Sequence, residues 1–157
     1  MRNGTVRRAG ASQFLSLATA LMAFSLSGCL GCGGDSYIRA DLERGAGLKQ
    51  PAWVGVYYLS QESAIDAIDA ADLVSRTKAE EKLAGVTGVV MKEINPVYPD
   101  EPVSIMKEAP DAAIRWVVVV ANLKGGACAR QKVALKKGET VKMHVTVEEQ
   151  CLVVKKD

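Results

Sequence analysis

The chain has 157 residues, of which 48% are hydrophobic, 24% charged and 5% aromatic, and its formal net charge is +2. Length suits one ordinary domain, the apolar content excludes wholesale disorder, and the few aromatics argue against an aromatic-lined nucleic-acid platform. Arg2, Arg7 and Arg8 are the only charged residues of positions 1–28, so of the 20 bases 17 remain to face 18 acids in the rest of the chain. A near-neutral body gives no electrostatic reason to expect a nucleic-acid partner.

Behind the three arginines runs an uncharged stretch whose densest apolar part, Phe14 to Leu26, has the length of a signal-peptide core. It is too short and too interrupted by Ser and Thr for a permanent membrane span. It ends in Leu26-Ser27-Gly28-Cys29, the pattern of a bacterial lipobox: a branched apolar residue, two small residues, then cysteine. The processing peptidase needs small side chains beside the scissile bond and a thiol that already carries a diacylglyceryl group. Residues 1–28 therefore read as a lipoprotein signal peptide and Cys29 as the lipidated first residue of the mature chain. Leu30 rather than Asp follows, which by the sorting rule of Gram-negative bacteria directs the protein to the outer membrane, its body facing the periplasm. The covalent lipid on Cys29 is the only non-protein group expected, and each buried CH₂ of it contributes roughly 0.8 kcal/mol to anchoring. Residues 29–36 are short and Gly-rich, as a flexible tether would be. Cys29 and Cys32 form a C-x-x-C pattern, but no second pair or His pair completes a zinc site, and no strand precedes it as in redox motifs.

Residues 37–157 are expected to form one periplasmic domain. Tyr37 to Leu42 reads as a first strand, followed by a loop from Glu43 to Pro51 rich in glycine and mixed charge. Trp53 to Leu59 is apolar at both parities, the mark of an interior strand covered on both faces. Ser63 to Ser75 changes period: Ala64, Ile65, Ile68 and Ala71 make a helical stripe behind a capping-box-like Ser63-Ala64-Ile65-Asp66. Asp66, Asp69 and Asp72 would share a neighbouring solvated face of that helix. From Val86 onward the chain reads as β. Val141, Met143, Val145 and Val147 alternate with Lys142, His144, Thr146 and Glu148, as in a strand with one wet face. Lys136-Lys137-Gly138-Glu139 is expected to join that strand to the preceding one as an antiparallel hairpin. About eight short strands with one helical insertion favour a mainly β, two-sheet sandwich over a parallel α/β sheet.

With Cys29 acylated, Cys32, Cys128 and Cys151 remain in an oxidising compartment. The expected hairpin would bring Cys128 and Cys151 to one end of the sheet, either as a disulfide, contributing roughly 3 kcal/mol, or as two free thiols. Catalysis finds little support. His144, the lone histidine, points outward by parity, no nucleophile elbow, phosphate loop, metalloprotease or dinucleotide motif occurs, and Glu80-Glu81 and Glu148-Glu149 are adjacent pairs that do not converge. A non-enzymatic protein is expected.

Trp53-Val54-Gly55-Val56-Tyr57-Tyr58-Leu59 followed by Ala70-Ala71-Asp72-Leu73 resembles a strand ending in Tyr-x-Leu and the helical Ala-Asp-Phe segment after it in the TssJ outer-membrane lipoproteins of type VI secretion systems. Val97-Tyr98-Pro99-Asp100-Glu101 resembles that family's Pro-Gly-Glu turn, and Trp116-Val117-Val118-Val119-Val120-Ala121-Asn122 its later valine-rich strand. The chain departs from the pattern with Leu73 for Phe, Asp100 for Gly, and no Asn-Pro before Pro51. The resemblance implies a transthyretin-like β-sandwich that tethers a trans-envelope complex to the outer membrane. Its implied partner is the periplasmic C-terminal part of a TssM-like inner-membrane protein, contacted through the Glu43 to Pro51 loop, where Arg44, Leu48 and Lys49 offer charge and an apolar contact. Apart from the resemblance, a sandwich lipoprotein binding a small ligand or glycan is the competing reading.

Overall fold

The computed structural model describes residues 37–98, 100–108, 111–123, 128–137 and 139–157; the expected signal peptide, Cys29, Cys32 and the tether lie outside them. Eight strands form two four-stranded sheets. One sheet has the order β4-β1-β7-β8, built from β1 (Tyr37–Arg44), β4 (Val103–Glu108), β7 (Val141–Val147) and β8 (Leu152–Lys156). The other has the order β3-β2-β5-β6, from β2 (Ala52–Leu59), β3 (Val89–Val97), β5 (Trp116–Ala121) and β6 (Arg130–Ala134). All neighbours are antiparallel except β1 and β7, which run parallel in the register Ile38 to Val141 through Arg44 to Val147.

Period-two patterning explains the layering. Ile38, Ala40 and Leu42 of β1 and Val141, Met143, Val145 and Val147 of β7 are buried against Val54, Val56 and Tyr58 of β2 and Val117, Val119 and Ala121 of β5. Each Ile, Leu, Met or Val among them, withdrawn from water, contributes on the order of 1.5–3 kcal/mol. The opposite face of β2 and β5 is buried as well. Tyr57, Leu59, Val118 and Val120 pack beneath Ile65, Leu73 and Val74 of the β2–β3 connection. The run from Trp53 to Leu59 is thus covered on both sides, as its unbroken apolarity predicts, although Trp53 at its start stays 44% exposed.

That connection differs from the expected single helix. Residues 62–67 form successive turns, α1 (Ala70–Leu73) is one turn long, and α2 (Arg76–Leu83) was not anticipated. In the turns, amide N–H groups bond three residues back, Asp66 to Ser63 and Ile68 to Ile65. Arg130 of β6 gives the reason: its guanidinium donates to the carbonyls of Ile65 at 3.1 Å, Asp66 at 3.1 Å and Ile68. An α-helix would have used those same oxygens internally. Helix α2 escapes a periodicity test because only Ala79 of its eight residues is buried; it forms on the helix propensity of Lys, Ala, Glu and Leu. Two of the three aspartates are ion-paired rather than merely solvated: Asp66 meets Lys132 at 2.7 Å and Asp72 meets Lys78 at 3.2 Å. Replacing Arg130 by Ala is expected to cost about 1–3 kcal/mol in chemical denaturation, since three charge-assisted bonds are exchanged for bonds to water.

The expected β6–β7 hairpin does not form. These strands lie in different sheets, and between them Glu139 accepts from the Lys136 amide and from Lys156 Nζ, both at 2.8 Å. β6 instead returns along β5, because its half-buried, basic residues Arg130 and Lys132 suit an edge facing Asp66, whereas β7 alternates cleanly and occupies the interior of its own sheet.

Two tyrosines of β2 are fully buried. Tyr57 donates its hydroxyl to the Leu73 carbonyl, pinning α1 to the sheet. Gly55 makes room for this ring, since a Cβ there would stand 2.8 Å from Tyr57 Cε2. Burial pushes the Tyr57 hydroxyl up to about 12, and Tyr58 is raised by burial and the nearby Glu93. The unfolded chain therefore loses these protons first, near pH 10, so the folded state sheds stability as pH rises from about 10 towards 12. Alkaline titration followed by tyrosinate absorbance should show these two groups ionising only with unfolding.

Candidate functional site

Strand directions divide the sandwich into two ends. β1, β3, β5 and β7 finish at the end where β2, β4, β6 and β8 begin. This loop end gathers residues 45–51, 122–123, 128–129 and 148–151. Tyr37, where the chain from the expected tether enters, lies at the opposite end, about 25 Å away along an eight-residue strand.

The β1–β2 loop is shorter than expected, because β1 continues through Glu43 and Arg44 and only residues 45–51 lie outside strands. Arg44 is exposed and stands opposite Val147 in the β1–β7 register. Gly45 then turns the chain over the β7–β8 connection: its amide donates to the Val147 carbonyl at 2.8 Å, and a Cβ on it would stand 2.6 Å from Glu148 Cγ. A side chain at this position would have to displace Glu148, so the close approach favours glycine. The Leu48 amide closes a turn onto the Gly45 carbonyl at 3.1 Å.

The three residues singled out in this loop divide. Lys49 is exposed, whereas Leu48 is only 6% exposed and belongs to the inter-sheet core. The expectation that Leu48 offers a surface contact is corrected: an apolar side chain at the mouth of a sandwich gains more by capping the core than by facing water. Beside it lies a cleft of about 360 Å³, lined by Leu48, Lys49, Gln50, Pro51, Ala52, Asn122, Leu123 and Glu149. Its lining mixes the apolar Leu48, Pro51, Ala52 and Leu123 with the polar Gln50 and Asn122, and Lys49 and Glu149 bring opposite charges to it. Asn122, Leu123 and Glu149 were missed in the sequence, because only the β2–β5 ladder and the β7–β8 turn bring them to Lys49 from more than 70 residues away. A second cleft of about 350 Å³ opens between Trp53, Asn122 and the α1–α2 junction at Ala71 to Arg76.

Cys128 and Cys151 form a disulfide with Cα atoms 4.8 Å apart. The reason is not the expected hairpin. β6 and β8 are edge strands of different sheets that meet through one isolated parallel bridge, Cys128 with Cys151, and the Leu152 amide donates to the Cys128 carbonyl at 3.0 Å. The bond staples the sheets together beside the cleft.

Away from the loop end, the wet face of the β1 sheet carries an ion-pair network. Burial opposes the charge on Asp41, but the Ser104 hydroxyl at 2.6 Å and Arg39 Nε at 2.7 Å hold its pKa below the usual carboxylate value. His144 lies outward, 3.1 Å from Asp157 at the surface. Among the described residues no group of three or more His, Cys, Asp or Glu side chains could hold a metal ion.

Solved structures share this architecture. The type VI secretion lipoprotein TssJ1 from Pseudomonas aeruginosa superposes with a TM-score of 0.65 at 16% identity, over 78% of this chain and 97% of its own. The fold is that of the TssJ lipoproteins. Lip of Serratia marcescens, a membrane-bound component of the type VI secretion system, gives a TM-score of 0.60 at 16% identity, over 78% of this chain and 98% of its own. A chain in a structure of the TssM C-terminal domain from EAEC gives 0.52 at 15% identity, over 76% and 99%. No family model and no curated protein sequence matches the chain. The likeness to TssJ lies in the arrangement of strands far more than in residue identity.

Proposed function

We propose that this chain is an outer-membrane lipoprotein of the TssJ type, and that it anchors a type VI secretion membrane complex by binding the periplasmic C-terminal part of a TssM-like inner-membrane protein. The observation that carries the reading is the agreement of fold with TssJ1 over nearly the whole TssJ1 chain, in a sequence that also bears the lipobox Leu26-Ser27-Gly28-Cys29.

Other features support it. A lipid on Cys29 ties the Tyr37 end of β1 to the outer membrane, which leaves the loop end free to face a partner rising from the inner membrane. Loops on a rigid sandwich are where recognition usually resides. The Cys128–Cys151 disulfide suits the oxidising periplasm. The role needs no catalysis: it joins two membranes through one lipid anchor and one protein interface.

Capture from envelope extracts with the tagged, full-length lipoprotein tests the proposal. Recovery of a large inner-membrane protein bearing a periplasmic C-terminal domain is expected. Lys49→Glu should weaken that binding by about 1–2 kcal/mol, measured by calorimetry, without moving the thermal melt, because an exposed lysine carries interface rather than core energy. Wild-type protein that captures no such partner overturns the proposal and favours the ligand- or glycan-binding reading.

A further inference from the structure

The cleft beside Lys49 has three walls of separate origin: the β1–β2 loop, the end of β5 at Asn122 and Leu123, and the β7–β8 turn at Glu149. Glu149 lies two residues before Cys151, and the Ala121 amide beside Asn122 bonds the carbonyl of Ala129, next to Cys128, at 2.8 Å, so the disulfide ties together the chain behind two of those walls. Besides the buried cluster that Leu48, Leu123 and Leu152 share, the backbone links there among the described residues are few. The two cysteines form an isolated bridge rather than a ladder, and one backbone hydrogen bond, Leu152 N–H to the Cys128 carbonyl, accompanies it. At the far end of β8, Lys156 Nζ reaches the Ala134 carbonyl at 3.4 Å.

The rest of the fold does not lean on this link. β6 keeps its ladder to β5, β8 keeps its ladder to β7, and most of the inter-sheet core comes from β1, β2, β5 and β7, with Leu152 of β8 packed into it independently of the disulfide. The third wall depends on the turn that the disulfide holds. The Gly45 amide bonds the Val147 carbonyl, and the Glu148 amide bonds the Cys151 carbonyl at 3.0 Å. Cys151 thereby orders the turn over which Gly45 packs.

We propose that the Cys128–Cys151 disulfide is a positioning element for this cleft, so that partner docking belongs to the oxidised protein and is weakened by reduction. The inference rests on the proposed docking role of the loop end, and it adds a redox condition to it. Both cysteines are half-buried at the edge of the sandwich, within reach of a small dithiol. In the step itself a dithiol attacks the S–S bond and becomes a cyclic disulfide. Its two electrons cleave the bond, and its two protons end on the Cys128 and Cys151 thiols. A preformed cleft spares the ordering of its walls when a partner binds; a reduced one must order them first.

Hydrogen exchange and binding, measured together on the mature protein in detergent with and without dithiothreitol, test this. On reduction, exchange at residues 45–48 and 148–152 should accelerate about tenfold more than exchange in the β2–β5 ladder, because opening is local. Affinity for the TssM-like partner should fall by about tenfold and return on reoxidation, and the Cys128→Ser, Cys151→Ser double variant should behave like the reduced protein in both measurements. Equal acceleration throughout the sandwich would make the bond a global staple and overturn the proposal, as would unchanged exchange around the cleft. If the oxidised protein binds no such partner, the docking reading fails, while local exchange still decides whether the disulfide shapes the cleft.

Discussion

Cys29→Ser is expected to abolish lipid labelling and to leave the precursor uncleaved by the lipoprotein peptidase, the largest single effect foreseen for this protein. The argument is chemical. A hydroxyl cannot take the diacylglyceryl thioether that the peptidase recognises, so Leu26-Ser27-Gly28 becomes an uncut sequence in the variant. At roughly 0.8 kcal/mol per buried CH₂, a single acyl chain holds a protein at a membrane only marginally, whereas several chains on one cysteine hold it stably. No helix among the described residues is long and apolar enough to replace that anchor by crossing a membrane. Metabolic labelling with a clickable fatty acid, followed by membrane fractionation, checks both steps; equal labelling of wild type and variant would remove the anchor from the account.

The fold was legible where burial follows a local period. Val141 to Val147 alternate between core and solvent as written, and Trp53 to Leu59 are apolar on both faces because one face meets the opposite sheet and the other meets Leu73 and Ile65. What could not be read locally was the set of tertiary choices. Arg130 takes the carbonyls of Ile65, Asp66 and Ile68, so a segment with helical apolar spacing becomes a chain of turns. The β6–β7 connection looks like a hairpin turn in sequence, yet pairing is decided by which edge each strand can complete. β5 offers one to β6, and β1 offers one to β7. The cysteine pair illustrates the same point: Cys128 and Cys151 do meet, but as edge residues of opposite sheets rather than as ends of one hairpin. The candidate site was half legible for a related reason. Lys49 belongs to a loop that announces itself by glycine and charge, whereas Asn122, Leu123 and Glu149 join it only through the sheet.

Leu48→Ala should destabilise the folded body by about 2–3 kcal/mol, an effect that a surface docking residue would not produce. Leu48 is 6% exposed and packs with the inter-sheet cluster at its open end, so truncation removes buried methyl groups and leaves a cavity beside the cleft. The low end of the range for such changes applies because water and the loop can partly fill the space from outside. Lys49, one residue on, points to solvent, and its replacement should leave stability unmoved. The pair therefore separates the two kinds of contribution that a single loop can make. Under the docking proposal, Lys49→Glu loses affinity at constant melting temperature, whereas Leu48→Ala lowers the melting temperature first and loses affinity only as far as the cleft wall collapses. Urea denaturation of both variants with calorimetry against the partner decides the matter. A Leu48→Ala protein as stable as wild type would return that side chain to the surface, and a Lys49→Glu protein of wild-type affinity would take the β1–β2 loop out of the interface.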